Sequence, residues 1–251
     1  MKLINLPNSW EQVTVNQFLD IKNIEVDNSN ILFNINLLSI LNNTLVSDKI
    51  WSELYITELS KLINTINWIN TPPTSTYKKE INGLMIKDFY SLTLGEYIDI
   101  DYLISEDCFE NLPKVCAILY RNYKHDEFGN IILEPYTNIN IDKRADFYYD
   151  LSINDIYGII SEFNRFKLHI IASYQGIFNP IIDEEDLDEE DLTDITTQKE
   201  VEKEKLHNKW SWEFILHSLS NGDITKYDSI TDLGFIFVLN QLSFKKAFDL
   251  F

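Results

Sequence analysis

The chain has 251 residues, a formal net charge of −19 and seven glycines. A chain of this length forms one large domain or two modest ones, and it can bury a sizeable core. The acidic balance disfavours direct nucleic-acid binding, because phosphate backbones repel an acidic surface. Scarce glycine, with no G-x-G-x-x-G or Walker-type loop, disfavours a nucleotide-binding fold, since such loops bring bare backbone close to phosphate.

The cysteines and the N-terminus bear on the compartment. Cys108 and Cys116 form neither a C-x-x-C motif nor a disulfide framework, so we expect free thiols in a reducing compartment. The opening MKLINLPNSW lacks the apolar segment of a secretory signal, and no apolar run approaches the ~20 residues of a membrane span. We therefore expect a soluble protein made inside the cell, with no membrane insertion.

The first predicted helix begins near residue 15, and its starting pattern returns further along the chain. A hydroxyl residue is followed three positions later by an amide or carboxylate, and apolar residues precede it and follow it at the fourth position. This pattern is a capping box with a hydrophobic staple, which begins a helix. It predicts helix starts near residues 15, 94 and 153. A weaker version, with Gly234 in place of the amide or carboxylate, predicts a start near 232.

Apolar residues spaced three and four apart predict two further helices before residue 72. They lie in SNILFNINLLSILNN and TELSKLINTINWI. The second helix is expected to end before Pro72 and Pro73, because proline cannot continue it. Its predicted buried face consists of Leu59, Leu62, Ile63, Ile66 and Ile69.

Two β-hairpins are predicted in the middle of the chain. Asn82–Gly83 lies between two short runs of strand-forming residues, and this dipeptide favours a tight hairpin turn. A second hairpin is predicted around HDEFGN, with IILEPY as its return strand. We place the hairpins near residues 76–90 and 120–136.

Two more helices, and the course of the two that start near 153 and 232, complete the prediction. NLPKVCAILYR is typical of a buried helix, with Asn111 as its cap and Pro113 in its first turn. SINDIYGIISEFNRFKLHIIASYQG predicts a long helix that ends at Gly176. KWSWEFILHSLSNG and TDLGFIFVLNQLSFKKAFDLF predict two C-terminal helices. The last of these leaves aromatic side chains that a monomer has difficulty covering, so the candidate interface residues are Phe244, Phe248 and Phe251.

Together these elements predict a mainly α fold with one or two β-hairpins (α+β). A helical body carries projecting hairpins and an acidic loop. We divide the chain into an N-terminal helical part, residues 1–180, an acidic loop, residues 181–198, and a C-terminal helical part, residues 199–251. The sequence leaves open whether the two helical parts form one domain.

No motif in the chain identifies a reaction. The four histidines, at positions 125, 169, 207 and 217, show no metal-ligand spacing, and there is no G-x-S-x-G elbow. His169 lies in an apolar helix, so we expect a buried core side chain there. We expect no catalytic residue, no metal site and no cofactor, and therefore a protein that is not an enzyme.

The segment 183–194, DEEDLDEEDLTD, holds nine acidic residues and no basic one. An EF-hand loop requires glycine at its sixth position, where Asp188 stands, so a specific calcium site is disfavoured. Two interpretations stay open, a solvated loop extended by charge repulsion and a docking element whose leucines anchor it while its acids meet a partner's arginines and lysines. The candidate docking residues are Asp183, Glu184, Glu185, Asp186, Leu187, Asp188, Glu189, Glu190, Asp191 and Leu192.

Three parts of the chain, about a third of its length, resemble tail and virion-assembly proteins of tailed bacteriophages, especially the crAss-like phages of gut Bacteroidales. They are LPNSWEQVTVNQFLDI, then LTLGEYIDIDYLI with NLPKVCAILYR, and KWSWEFILHSLSNGDITKYDSITDLGFIFVLNQLSF. The family pattern contains no catalytic residues to transfer. Its middle helix is matched by Asn111, Leu112, Lys114, Ala117, Ile118, Leu119, Tyr120 and Arg121, and its late segment by Trp212, Leu216, Leu219, Asn221, Gly222 and Asp223.

The resemblance implies two roles. In the first, the chain is a virion structural protein, a subunit of an oligomeric ring in the tail barrel or the portal-proximal connector. Its partners are then copies of itself in a cyclic homo-oligomer and other tail or portal proteins. In the second, it is a tail-assembly chaperone or a baseplate-hub assembly protein. A third role, an enzyme or host-directed regulator, would need a pocket with convergent polar groups.

We favour the ring, located in the virion tail after assembly in the host cytoplasm. An acidic inner surface would let DNA pass without sequence-specific binding. Within one subunit we expect Trp10, Tyr120 and Trp212 to be largely buried and Arg121 to be paired.

Overall fold

The computed structural model describes residues 5–24, 30–45, 51, 53–178 and 211–248. These residues are mainly helical, with a few short antiparallel strands, which confirms the predicted fold class. The chain divides into two compact units. Unit 1 is formed by residues 1–87 and 102–164, and unit 2 by residues 88–101 and 165–251. The acidic loop assigned to residues 181–198 lies outside the described residues, so that division stays a prediction.

The helices of the described part are α1 (Val15–Lys22), α2 (Asn30–Leu41), α3 (Ile56–Thr65), α4 (Leu94–Asp107), α5 (Leu112–Leu119), α6 (Ile141–Tyr149), α7 (Gly158–Ser173), α8 (Gln175–Phe178), α9 (Ser211–Ser220), α10 (Tyr227–Thr231) and α11 (Phe235–Ala247). Its strands are β1 (Glu80–Ile81), β2 (Leu84–Ile86), β3 (Tyr120–Arg121), β4 (Tyr123–His125) and β5 (Ile131–Leu133). Single 3-10 turns occur at Trp10–Gln12, Asn67–Asn70, Phe89–Ser91, Ile153–Asp155 and Ile224–Lys226.

The first two predicted helix starts are confirmed, with their capping boxes formed. At α1 the Thr14 hydroxyl accepts from the Gln17 N–H at 3.2 Å, and Gln17 Oε1 accepts from the Thr14 N–H at 3.0 Å. At α4 the Glu96 carboxylate accepts from the Thr93 N–H at 2.7 Å, and the Thr93 hydroxyl accepts from the Glu96 N–H at 3.3 Å. Each box satisfies two backbone donors that a helix start leaves unpaired.

The predicted start near 153 is shifted. Residues Ile153–Asp155 form one 3-10 turn, and α7 begins at Gly158. Backbone bonds from distant residues explain the delay, because the Lys78 N–H donates to the Asp155 carbonyl and the Gly158 N–H donates to the Thr76 carbonyl, both at 2.9 Å. A Cβ at Gly158 would lie 2.6 Å from the backbone of Thr76, so only glycine fits this crossing.

Two further predicted boundaries are wrong. The start predicted near 232 falls between α10 and α11, and α11 begins at Phe235 with Gly234 as its N-cap. The long helix predicted to end at Gly176 ends instead at Ser173, and Gly176 lies inside the short helix α8. In the first case, the backbone bridge to Thr93 is made by Gly234, so Gly234 rather than Thr231 is the residue that precedes the helix.

In unit 1, two of these helix starts are joined to each other by their backbones. The Val15 N–H donates to the Leu151 carbonyl and the Ile153 N–H donates to the Val13 carbonyl, both at 2.9 Å. This is an isolated antiparallel bridge between the residue before α1 and the residue before the 3-10 turn. Val13, Val15 and Ile153 are buried and Leu151 is half-buried, so the bridge lies within the core of the unit.

Unit 2 contains a second bridge of the same kind. The Leu94 N–H donates to the Leu233 carbonyl and the Phe235 N–H donates to the Leu92 carbonyl, both at 2.8 Å. The starts of α4 and α11 are thereby joined, as the two starts of unit 1 are. The recurrence of the starting pattern along the sequence therefore corresponds to a paired arrangement in space, one pair in each unit.

Both predicted hairpins are confirmed. β1 and β2 pair across Asn82–Gly83, whose φ angles of 49° and 80° are those of the tight turn that this dipeptide favours. β4 and β5 pair from Tyr123 with Leu133 to His125 with Ile131. The sequence did not predict β3, which follows α5 directly and adds a third strand to the first sheet in the order β1-β2-β3.

The core of unit 1 is centred on α5, which packs against α6. Trp10 is buried as predicted, its indole N–H donates to the Thr71 carbonyl at 2.5 Å, and its ring meets Trp68 edge-on at 5.2 Å. The buried residues of α5 are Leu112, Pro113, Val115, Cys116, Ala117, Ile118 and Leu119.

The core of unit 2 is aromatic. Tyr97 of α4 and Phe235 of α11 stack with ring centroids 3.8 Å apart, and Trp212 of α9 meets Tyr97 edge-on at 5.4 Å. Such contacts add to the area that these large side chains bury. Burial, together with the nearby Asp101 carboxylate, raises the pKa of the Tyr97 phenol, so this hydroxyl stays neutral.

Candidate functional site

The residues that the sequence marked as candidates divide into two groups. The ten docking candidates from Asp183 to Leu192 lie outside the described residues, as does Phe251. Phe244 and Phe248 lie in the described part, at the end of α11. The docking role of the acidic segment therefore stays a prediction.

Helix α11 is apolar on two faces. One face is buried in unit 2 and consists of Phe235, Val238, Leu239 and Leu242. The other face carries Phe237, Phe244 and Phe248, with 52%, 54% and 64% of their surface exposed. Their spacing of seven and four residues places them in one stripe along the helix. We call these three phenylalanines the aromatic ridge.

The aromatic ridge ends beside two cations. The rings of Phe244 and Phe248 touch, with centroids 4.8 Å apart. Lys245 donates to the Ser218 carbonyl at 3.2 Å, whereas Lys246 is exposed. Exposed Asn240 and Gln241 lie between Phe237 and Phe244, so polar side chains interrupt the ridge. Exposed aromatic side chains next to charged ones are typical of a protein–protein contact surface. Phe244 and Phe248 were predicted as candidate interface residues, while Phe237 was missed although its spacing from Phe244 is visible in the sequence.

A pocket of about 300 Å³ opens in unit 1. Its lining comes from the end of α5, from α6 and from the segment that follows β5. Tyr120 and Tyr148 line its buried part, with ring centroids 6.0 Å apart, and Tyr136 and Phe147 line its more exposed part. Tyr120 is buried as predicted, and its hydroxyl donates to the Lys78 carbonyl. Burial raises the pKa of both buried tyrosines, so they contribute neutral phenols.

Arg121 is the first of three cations that line this pocket. Its Nε donates to the Ile118 carbonyl at 3.0 Å, and its Nη1 donates to the Glu134 carbonyl at 3.1 Å. The guanidinium also lies 5.4 Å from the centroid of the Tyr136 ring, a cation–π distance. The prediction that Arg121 is paired is confirmed, and its partners include backbone carbonyls and an aromatic face.

The other two cations stand side by side on α6. Arg144 donates to the Ile139 and Thr137 carbonyls, both at 2.8 Å, and so fixes the segment that leads into α6. Lys143 is exposed and forms no ion pair within the part of the chain that the structure describes. Lys143 lines the pocket together with Arg144.

The charge balance of this pocket is the reverse of that of the chain. Three cations and one carboxylate, Glu134, line it, whereas the chain has 40 acidic and 21 basic residues. The Glu134 carboxylate already accepts a hydrogen bond from the Asn122 side chain at 2.9 Å. We call this pocket the basic pocket. Its combination of aromatic walls and cations suits an anionic ligand that also carries an apolar group.

Three other expectations concern single side chains. His169 is exposed on α7, where its ring meets the Tyr90 ring at 6.1 Å, so the prediction of a buried histidine is wrong. It lies beside the exposed Leu168, on the outer side of a helix whose apolar residues are not all buried. Trp212 is half-buried rather than largely buried. Burial raises the pKa of the Cys116 thiol well above its usual value, which disfavours the thiolate.

Within residues 5–24, 30–45, 51, 53–178 and 211–248, no group of three or more His, Cys, Asp and Glu side chains is placed to hold a metal ion. Among the helices of this described part, none combines the length and apolarity needed to cross a bilayer.

Comparison of the chain with protein-family models, with curated proteins and with solved structures found no match.

Proposed function

We propose that the chain is a non-enzymatic structural component of a tailed-phage virion, a subunit of an oligomeric ring in the tail barrel or the portal-proximal connector. The aromatic ridge carries this proposal. Three phenylalanines in one stripe stay more than half exposed in the subunit, on a helix whose opposite face is already buried. A neighbouring subunit would remove that apolar surface from water. The resemblance of the sequence to tail and virion-assembly proteins supplies the phage context.

The occupant of the aromatic ridge is a second copy of this chain. Lys245 and Lys246 stand at the end of the ridge, and a copy with a net charge of −19 brings acidic surface to meet them. Contact between unlike surfaces of successive copies closes a ring when the rotation between them allows it.

The ridge alone does not account for a stable ring. Fully burying one phenylalanine side chain is worth roughly 1.5–3 kcal/mol, and about half of each ridge side chain is still available for burial. Three such halves supply a few kcal/mol, whereas association costs an estimated 4–15 kcal/mol. Each subunit therefore needs at least one further contact with its neighbour.

The proposal is tested by quantifying the chain in purified particles of the phage that encodes it, by mass spectrometry against the portal subunit. A fixed ratio near unity is expected for a ring component. The Phe244→Ser/Phe248→Ser variant of the chain should be absent from particles assembled in its presence. The Ile224→Ser variant, which changes an exposed apolar residue of unit 2 outside the ridge, should be present in them. Absence of the wild-type chain from particles, with abundance in infected cells, would replace the ring by a tail-assembly chaperone.

A further inference from the structure

We propose that the basic pocket of unit 1 binds the acidic segment 183–194 of a neighbouring copy, and that this is the second contact of the ring. The inference rests on the proposed homo-oligomer. The basic pocket thereby gains a ligand, and the acidic segment, whose role the sequence left open, gains a binding site.

Charge complementarity is the first argument. The basic pocket gathers Arg121, Lys143 and Arg144 in a chain that otherwise has an excess of acidic residues. The segment 183–194 carries nine acidic side chains and no basic one. Within the described residues Lys143 has no ion-pair partner, so a carboxylate that reaches it makes a new pair without breaking an old one.

The apolar walls supply the second argument. A pocket lined by cations alone would accept any polyanion, but here Tyr136, Phe147 and Leu84 also line the space. The acidic segment carries Leu187 and Leu192 among its acids. A volume of about 300 Å³ is at the small end of ligand sites, which suits one or two side chains rather than a folded element. A leucine in the pocket would leave its flanking carboxylates at the cations.

Every copy carries both the acidic segment and the basic pocket, so successive copies can be joined into a ring. The sequence holds the acidic segment at 183–194, and residues of a different part of the chain line the basic pocket. When the segment of each copy occupies the pocket of the next, every copy uses both, and such a heterologous contact closes a ring when the rotation between copies allows it. A contact of this kind also extends the interface beyond the aromatic ridge.

The first test measures binding of a fluorescent peptide, residues 181–194, to the full-length chain in which the nine acids at 183–194 are changed to Asn or Gln. These changes remove the internal competitor. We expect saturable fluorescence anisotropy that weakens as salt is raised. Lys143→Glu should weaken binding by about tenfold or more, since a like charge then faces the peptide. Lys124→Glu, an equal charge change at an exposed residue of β4 that does not line the pocket, should leave binding within about twofold.

Three results would overturn the assignment. They are the absence of saturable binding, equal weakening by Lys143→Glu and Lys124→Glu, and equal binding of a peptide with Leu187→Ser and Leu192→Ser. Lys143 makes no ion pair within the described part of the chain, so its variant is expected to fold, and circular dichroism checks this. Arg144 is avoided because it holds the backbone before α6.

The second test asks whether the segment docks on another copy. Two full-length chains are mixed at concentrations well above the Kd measured for the peptide, one with Lys143→Glu and one with the nine acids neutralised, both with Phe244→Ser/Phe248→Ser to remove the ridge contact. The first keeps its segment and the second keeps its pocket, so docking between copies predicts a 1:1 dimer by sedimentation velocity and monomers for each chain alone. Monomers in the mixture would overturn docking between copies.

These tests separate the docking contact from the proposed function. Peptide binding with absence from particles would keep the contact and remove the virion ring. A fixed ratio in particles without peptide binding would keep the ring and remove the contact.

Discussion

Helices α5 and α11 are both strongly apolar, yet they have opposite surroundings. Leu112, Pro113 and all residues from Val115 to Leu119 of α5 are buried within unit 1. In α11 one face is buried within unit 2, and the other exposes the aromatic ridge. The apolar content of a helix therefore does not tell how much of it the subunit covers. The exposed remainder on α11 is what points to a neighbouring copy.

The largest expected change in the free energy of unfolding comes from a substitution in the buried helix α5. Leu119 of α5 is completely buried, so Leu119→Ala should lower the free energy of unfolding by about 2–5 kcal/mol through lost burial and a cavity. Phe244→Ala on the aromatic ridge should change it by about 0.5 kcal/mol or less, as surface substitutions usually do. Urea denaturation of both variants, at a protein concentration low enough to keep the chain monomeric, measures the difference. Equal destabilisation would mean that the subunit itself depends on the ridge.

A smaller effect is expected at the start of α5. The Asn111 side chain donates to the Leu103 carbonyl at 3.0 Å and so ties this start to α4. Asn111→Ala should cost about 1 kcal/mol, the usual net contribution of one such bond. The same denaturation assay measures it, with Asn138→Ala, at an exposed residue outside the helices and strands, as a comparison. A cost of zero would show that the tie contributes nothing.

The turn before α5 predicts a pH dependence. Hydrogen bonds from the Glu110 N–H and from the Lys22 ammonium, with a further one from the Phe109 N–H, lower the pKa of Asp107. A lowered carboxyl pKa contributes stability above the ordinary value of about 4, and the contribution is lost as pH falls through the lowered value. Asp107→Asn should therefore reduce the melting temperature at pH 7 and make it fall less steeply between about pH 4 and 2. If the melting temperatures of the variant and the wild type fell equally steeply with pH, the prediction would be contradicted.

The smallest effect concerns the start of α11. Gly234 caps this helix without a side chain, at φ −57° and ψ 131°, a conformation open to other residues. A Cβ there would meet its nearest atom, in Phe237, at 4.0 Å, so there is room. Gly234→Ser should stabilise the chain by a few tenths of a kcal/mol, since serine is the better N-cap. A clear loss of stability in the same denaturation assay would show that the bridge to Leu92 and Leu94 requires glycine.

The sequence was informative where structure is decided locally. Capping boxes at Thr14 and Thr93 and the Asn82–Gly83 turn depend on neighbours within four residues, and all three were predicted. The starts expected near 153 and 232 were displaced because backbone groups there bond to residues distant in the chain, such as Lys78 and Leu94. No local pattern encodes those partners.

The candidate sites show the same limit. Phe244 and Phe248 were proposed because a monomer has difficulty covering the aromatic side chains at the end of the last predicted helix, and the structure places both at the surface. The sequence did not predict the basic pocket, because its cations are distant along the chain. Arg121 lies in β3, directly after α5, while Lys143 and Arg144 belong to α6, about 20 residues later. The packing of α6 on α5 brings them together, and that contact was not visible in the composition of either helix.

Sedimentation velocity of the purified chain tests most directly whether the aromatic ridge is a contact between copies. We expect the wild type to sediment as an oligomer at micromolar concentration, Ile224→Ser to match it, and Phe244→Ser/Phe248→Ser to shift toward monomer with an unchanged circular dichroism spectrum. A monomeric wild type, or a double variant that still forms the same oligomer, would contradict the account.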